Sequence, residues 1–409
     1  MSQLSHNDLI ILFTSISLML IVSRILAEFG KKLKLPVVMG EMIVGILLGQ
    51  TVIGKIAPGF FSNLFPETGG AAIALNGIVQ LSVVMLLFVA GMEVQLPMVL
   101  KQGRLAVYTS ITSMAIPFSI GFWVAWYIPT FFQKTNNESD LIFSLFFGTA
   151  LAISALPVIA RILMDMNLFK TKIGMLIIAS AMFNDLIGWL IFSLVLGMME
   201  KRGVGSDLGL TIAYILGFGL FMLTIGRKLL SKALPYIQTK LSWPGGVLSI
   251  SLGLCFICAA FTEAIGIHAI LGAFIMGIAL GDSVHLNERA REIIHQFVTN
   301  IFAPLFFVSI GLHVDFISYF NFMLVLVVIL LASFGKIFGA TIGAYMGGLD
   351  FRNSVVVGMG MNARGAMEII LGTLAYKAGI IHEELFVALV VMALVTSIAS
   401  GPLMRRIMI

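Results

Sequence analysis

The sequence predicts an all-α polytopic membrane protein of about 13 transmembrane helices, arranged as an inverted repeat with two interrupted helices. Three observations lead there: an extreme composition, a series of apolar segments of spanning length, and a glycine pattern that recurs in the second half. Of 409 residues, 59% are hydrophobic and 11% charged, and the mean hydropathy is +1.06. A soluble domain carries about a quarter charged residues. No soluble core of this size could bury so much apolar surface, so lipid must be the solvent. The net charge of +5 sits mostly in short loops, as topology determinants do. No nucleic-acid partner, enzymatic activity or cofactor is expected.

A spanning helix needs about 20 mostly apolar residues. Such segments lie near 8–27, 35–54, 71–92, 105–132, 141–164, 172–199 and 208–226, then near 246–264, 267–281, 297–317, 322–347, 353–377 and 385–404. The first lacks the basic flank and small-residue cleavage site of a secretory signal, so it reads as a span. The stretch 282–295, "DSVHLNERAREIIH", reads as a solvated connection. Cys255 and Cys258 share one helix face in an apolar segment, where packing explains them without redox or metal chemistry.

Loop charges orient the chain. With the N-terminus outside, the cytoplasmic loops and C-terminus hold seventeen basic residues: Lys31, Lys32, Lys34, Lys101, Arg104, Arg161, Lys170, Lys172, Arg227, Lys228, Lys232, Lys240, Arg289, Arg291, Arg352, Arg405 and Arg406. The opposite side holds five: Lys55, Lys134, Lys201, Arg202 and Lys377. The positive-inside rule then places the C-terminus in the cytoplasm.

The repeat is visible in "GEMIVGILLG" (40–49) and "GAFIMGIALG" (272–281), which share glycines at offsets 0, 5 and 9. "LFVAGMEV" (87–94) echoes "FFVSIGLHV" (306–314) with one insertion. The motifs are seven helices apart, an odd number, so the halves (about 1–199 and 246–409, joined by a linker helix near 208–226) insert with opposite orientation. Inverted repeats characterise secondary transporters, which bind substrate near the midplane. The mapping pairs helix five, interrupted by Pro157, with helix twelve, where Gly358, Gly360 and Gly365 surround Asn362 and Arg364. Corresponding broken helices point to a binding site. Backbone carbonyls freed there, with hydroxyls such as Ser154, would suit a small hard cation.

Four polar features lie deep in the spans: Asn184 with Asp185, Lys336, Arg364, and Glu368. Asp185 is the only ionisable group in a 27-residue apolar run, 173–199. Placing a charge there costs roughly 3 kcal/mol on insertion scales. With Asn184 offering a neutral oxygen, Asp185 reads as a site where a proton and Na⁺ or K⁺ compete, which suffices for antiport; a static salt bridge is the alternative. Arg364 and Glu368, four residues apart, read as a mutual ion pair, with ion contact as the alternative. Lys336 reads either as compensation for a carboxylate or half-helix end, or as a proton carrier. His268 and His313 read as helix-end residues.

The ordered blocks "ALAISALPVIARIL", "SAMFNDLIGW", "EAIGIHAILGAFIMG", "PLFFVSIGL" and "GMNARGAMEIIL" resemble the monovalent cation:proton antiporters. The likeness is to the second cation:proton antiporter family, in the branch of the plant cation/proton exchangers and their bacterial relatives. The resemblance runs from about Pro36 to the last helix. It implies the sodium/proton antiporter fold, with a mobile core domain, a dimerisation domain, a homodimer and elevator-like alternating access in a plasma (inner) membrane. By motif position it makes Asp185 the ion- and proton-binding carboxylate, Asn184 its partner, Ser154 a residue at the unwound crossing and Lys336 the membrane lysine. Gln80 stands where many relatives place a pathway glutamate. The Asn184–Asp185 pair is associated with electroneutral exchange, and Lys336 leaves stoichiometry open. No appended cytoplasmic regulatory domain is expected after helix thirteen. A sodium-coupled symporter of an organic anion is the competing transporter reading; a channel would show a re-entrant filter, and none is found.

Overall fold

The computed structural model describes residues 4–32, 37–94, 103–132, 134–135, 139–166, 168–169, 171–200, 208–241, 244–283 and 286–408. Lys34, Lys101, Lys170, Lys201 and Arg202, used above to orient the chain, lie outside these residues. The regular structure of the described chain is helical apart from one isolated bridge, Lys134 to Ile381. The helices of the first half are α1 (His6–Lys32), α2 (Val37–Leu48), α3 (Ile53–Ile56), α4 (Pro58–Leu64), α5 (Gly70–Glu93), α6 (Gly103–Tyr127), α7 (Asp140–Ala152), α8 (Leu156–Asp165) and α9 (Lys172–Glu200). Next come α10 (Leu208–Phe221) and α11 (Arg227–Lys240), joined by a π-helical turn at Met222–Gly226. The second half holds α12 (Gly245–Ala264), α13 (Ala269–Gly281), α14 (Glu288–Phe297), α15 (Ala303–His313), α16 (Phe322–Met346), α17 (Phe351–Met361), α18 (Ala366–Lys377) and α19 (Glu383–Met408).

Nine helices among the described residues are long and apolar enough to cross a membrane. The other four expected segments fall on the short helices α2 and α13 and on the interrupted pairs α7–α8 and α17–α18. This is an integral, multi-pass architecture.

Three expectations need correction. The seventh segment does not end near 226: the π turn carries the helix on through Lys240, so Arg227, Lys228, Lys232 and Lys240 lie on helix rather than in a loop. The stretch 282–295 is not an open connection either. Asn287 caps α14 by accepting from Arg289 N–H, Ala290 and Ile294 are buried, and a second π turn, Val298–Phe302, joins α14 to α15. Its charges are used internally: Arg291 donates to the carbonyls of Met92 and Gly281, and Arg227 pairs with Asp282 at 2.6 Å. A charge count cannot distinguish a solvated loop from an amphipathic helix whose charges cap neighbouring helices. The third correction concerns Pro157. It does not kink a continuous helix but occupies the first turn of α8, where the missing N–H has no intrahelical partner to lose. The interruption lies before it, at 153–155.

The chain divides into two compact units, each drawn from both halves of the sequence. One comprises Met1–Glu93, Gly219–Thr262 and Ala269–Tyr319; the other Val94–Phe218, Glu263–His268 and Phe320–Ile409. In the first unit the two helices that carry the repeated glycine motif make reciprocal contacts: α2 packs on α15, and α13 packs on α5. The contact is close enough to exclude side chains. A Cβ on Gly91 would strike the Phe274 carbonyl, and one on Gly277 the Phe88 carbonyl. In the second unit α6 packs on α7 and on α16, and α16 on α17, so the same reciprocity surrounds the interrupted helices. Cys255 and Cys258 are buried, unbridged thiols in α12.

Candidate functional site

The buried polar residues singled out in the sequence gather within the second unit, around the two interruptions. The first interruption is the extended segment 153–155, and the second spans 362–365. They cross in hydrogen-bonding contact: Ala155 N–H donates to the Ala363 carbonyl at 3.1 Å, and the Ser154 hydroxyl donates to the Met361 carbonyl at 3.1 Å. Ending a helix in an apolar interior leaves its last four carbonyls without intrahelical partners, and buried carbonyls must find donors.

Arg364 and Lys336 are those donors for α7. The guanidinium of Arg364 reaches the carbonyls of Ala150 (2.8 Å), Leu151 (2.5 Å) and Ile153 (3.3 Å), and that of Ala332 on α16 at 3.4 Å. The Lys336 ammonium donates to the Ala152 carbonyl. Two cations thus sit on the negative end of a helix dipole, where positive charge is stabilised. The carbonyls exposed by the break, which the sequence suggested as cation ligands, are largely occupied by side chains of the protein itself. Both basic groups are fully buried, so the polar partners are required.

Glu368 serves the opposite end of a half-helix. It lies in the first turn of α18, and its Oε2 accepts from the Gly365 N–H at 2.8 Å, the N3-to-cap half of a capping box. Its other oxygen stands 3.9 Å from Arg364 Nη1, so the expected i,i+4 pair exists only as a loose contact. Arg364 spends its directed hydrogen bonds chiefly on the end of α7, because three carbonyls and their dipole lie closer. The Ser397 hydroxyl, on α19, donates to the carbonyl of Arg364 and steadies the second interruption.

Asn184 and Asp185 lie on α9, both buried. Three residues further on, Gly188 lets α9 press against Ile153 of the first interruption, whose side chain a Cβ would strike. The Asn184 amide nitrogen donates to the Ser110 carbonyl at 3.1 Å, while its oxygen accepts from the Ser113 hydroxyl at 3.0 Å and from the Lys336 ammonium at 2.9 Å. The reverse orientation would face amide N–H groups toward an ammonium, donor against donor, which decides the assignment. Asp185 belongs to the same electrostatic neighbourhood: Lys336 interacts with Arg364, Glu368 and Asp185. Asn362, in the second interruption, donates to the Ser333 hydroxyl at 3.4 Å.

Gln80 is not among these residues. It is exposed on α5 and belongs to the first unit. His268 immediately precedes α13, and His313 ends α15 with its Nδ1 at 2.7 Å from the Ser309 carbonyl, a helix-end arrangement. Ser110 and Ser113 were missed in the sequence. The signal was the hydroxyl-rich run Thr109, Ser110, Thr112 and Ser113 within an apolar helix, which reads as ordinary back-bonding to the preceding turn until α9 is seen against it.

Comparison with known proteins bears on this arrangement. Residues 16–409 match the family model described as sodium/hydrogen exchanger, transmembrane. The chain is 28% identical over 406 residues to the Na(+)/H(+) antiporter NhaS4 of Synechocystis, covering 98% of each chain. It is 29% identical over 419 residues to the K(+)/H(+) antiporter 1 of Saccharomyces cerevisiae, covering 98% of this chain and 47% of the yeast protein. Cation/H(+) antiporter 20 of Arabidopsis thaliana is 30% identical, with 97% and 48% covered. The chain thus spans nearly all of the cyanobacterial relative and about half of the yeast and plant ones. Among solved structures, the sodium proton antiporter MjNhaP1 of Methanocaldococcus jannaschii superposes with a TM-score of 0.68 at 16% identity, 98% of each chain being covered, which establishes the fold. With a family match that takes in all but the first fifteen residues, the chain belongs to the sodium/hydrogen exchanger family.

Proposed function

We propose that this protein exchanges monovalent cations, Na⁺ or K⁺, for protons across the membrane by alternating access, Asp185 carrying the proton and the cation in turn. The observation that carries the proposal is a buried carboxylate on α9 beside two crossed, interrupted helices whose exposed carbonyls are already capped by Arg364 and Lys336. The capping separates two tasks. Arg364, Lys336 and Glu368 serve the half-helix ends, and Asp185 is a buried acid in the same electrostatic neighbourhood whose charge a small ion can balance. Ser154 adds a neutral oxygen at the crossing: its proton is committed to Met361, and its lone pairs still accept. A carboxylate in an apolar surround crosses the membrane unfavourably while charged and empty, so loading with one ion or the other couples their movements.

Relatives that exchange Na⁺ or K⁺ for protons support this reading and do not favour an organic-anion symporter. The proposal includes a transporter rather than an enzyme, needing no cofactor, in a plasma membrane with the N-terminus outside, supported by the basic loop residues. It also includes a homodimer, as the family resemblance implies, and Asn362 near the ion path.

The test is a proteoliposome assay with a lumenal pH dye, in which Na⁺ or K⁺ is added to wild type and to Asp185→Asn. Cation-driven proton movement in wild type and none in the variant is expected, and the ranking of cations follows from the same traces. Equal proton movement by the variant would remove Asp185 from the carrier role.

A further inference from the structure

Asn184 is the natural candidate for a neutral cation ligand, yet the accepting capacity of its oxygen is already used. An amide oxygen has two acceptor sites. Here one faces the Ser113 hydroxyl at 3.0 Å and the other the Lys336 ammonium at 2.9 Å, while the nitrogen faces the Ser110 carbonyl at 3.1 Å. Ser113 is fully buried. Its single proton has two acceptors within reach, the Asn184 oxygen and the Ser110 carbonyl at 3.1 Å. The Ser110 carbonyl has two acceptor sites, one for the intrahelical N–H of α6 and one for the amide nitrogen, which leaves the hydroxyl to serve the amide oxygen. The arrangement is directional: hydroxyl donates to oxygen, oxygen accepts from ammonium, and a carbonyl on the same turn of α6 takes the nitrogen. Turn the amide over and its N–H groups oppose the ammonium.

We propose that Ser113 is a positioning residue for ion exchange: with the Ser110 carbonyl it sets the Asn184 amide so that the amide oxygen holds the Lys336 ammonium at the end of α7, and Asn184 is not itself a cation ligand. The held ammonium stays on the helix end. Released, it can turn to Asp185, within whose electrostatic reach it already lies, and it would then compete with Na⁺ or K⁺. Ser113 thereby sets apparent cation affinity rather than turnover. The assignment rests on the exchange proposed above.

The experiment measures cation concentration dependence in proteoliposomes for wild type, Ser113→Ala and Ser113→Thr, with cation-induced thermal stabilisation of the same purified proteins as a measure of binding independent of transport. Ser113→Ala removes the hydroxyl that orients the amide and so loosens its hold on the ammonium, which is expected to raise the cation KM about tenfold with Vmax at saturating cation retained. Ser113→Thr, which keeps the hydroxyl, is expected to stay at the wild-type KM. A parallel weakening of cation-induced stabilisation in Ser113→Ala alone supports the assignment. An unchanged KM in Ser113→Ala, or an equal rise in Ser113→Thr, overturns it, as does a fall in Vmax alone, the mark of a purely structural role. Should Ser113→Ala fail to purify, Ser113→Cys takes its place. It keeps a weak donor, so a smaller rise in KM supports the assignment and a wild-type KM overturns it. Absence of exchange in wild type would instead defeat the exchange reading, while the binding measurement still decides whether Ser113 governs cation affinity.

Discussion

Glycines bring helices to within backbone contact in both compact units, and the second unit in addition interrupts two of its helices. In the first unit, unbroken helices meet through glycines, Gly91 and Gly277 lying against carbonyls of the facing helix. Along that contact the helices run on unbroken, and charge is needed only at their ends, where Arg291 caps the carbonyls of Met92 and Gly281. In the second unit the helices themselves stop. Their orphaned carbonyls and N–H groups are satisfied by Arg364, Lys336 and Glu368, drawn from neighbouring segments. Close packing needs only small residues, whereas a broken helix in an apolar interior needs buried charge. The second unit accordingly gathers Asp185, Lys336, Arg364 and Glu368 around its interruptions, whereas the buried acids of the first unit, Glu41, Asp282 and Asp315, lie apart, on α2 and just beyond the ends of α13 and α15.

The comparison can be broken most severely at Arg364. Arg364→Ala would strand three carbonyls at the end of α7 and take a buried counter-charge from Glu368, and removing one partner of a buried charged network costs about 3–5 kcal/mol. Loss of most folded protein is expected by thermal unfolding in detergent, and Arg364→Lys should recover little because an ammonium cannot span carbonyls on successive residues. If Arg364→Ala unfolded at the wild-type temperature, the capping account of the second unit would be wrong.

Next in size is the glycine contact of the first unit. Gly277→Ala places a methyl group against the Phe88 carbonyl, an overpacking expected to cost about 1–3 kcal/mol. The comparison makes a sharper demand here: thermal stability should fall while the cation KM of the surviving protein stays at the wild-type value. A changed KM would mean that the glycine contact does more than hold helices together. Glu368→Gln is expected to be milder, about 1 kcal/mol in thermal unfolding, since the amide oxygen can still accept from Gly365 N–H but without charge assistance.

The smallest effect is expected outside the spans. Burial works to raise the carboxyl of Asp315, but hydrogen bonds from Lys55, from the Ser318 hydroxyl and from the N–H groups of Ser318 and Ile317 outweigh it and bring the value down to about 2 from 3.8. A carboxylate with a lowered folded value adds stability above its ordinary range and loses it as pH falls through the folded value. Lys55→Met should therefore cost up to about 1 kcal/mol at neutral pH, the ammonium being partly exposed. The difference from wild type should vanish below about pH 2, where the carboxylate is protonated in both. A difference that persisted there would point to packing rather than charge.

Much of this was legible from local signals. The glycine spacing of 40–49 and 272–281 marked the two helices that make reciprocal contacts, because only glycine permits that approach. The glycines around Asn362 located the second interruption to within a few residues. Pro157 misled about the first, since a proline that starts a helix and one that bends it look alike in sequence. The charges of 282–295 misled for a related reason: amphipathic helix and solvated loop share a composition, and what separated them was the presence of Met92 and Gly281 carbonyls for Arg291 to cap.

By itself the sequence determined that the chain lives in lipid, that a glycine motif recurs in its second half, and that Asp185 lies in an apolar run with no other charge. These follow from hydropathy, period and residue type, which act over one or two helical turns. Which cation serves which carbonyl was decided only by tertiary structure. Arg364 and Glu368 stand four residues apart and look paired, yet the guanidinium is directed at carbonyls as many as 214 residues away. Buried hydrogen bonds must be made with whatever the fold brings within about 3 Å, and separation along the chain does not limit which groups those are.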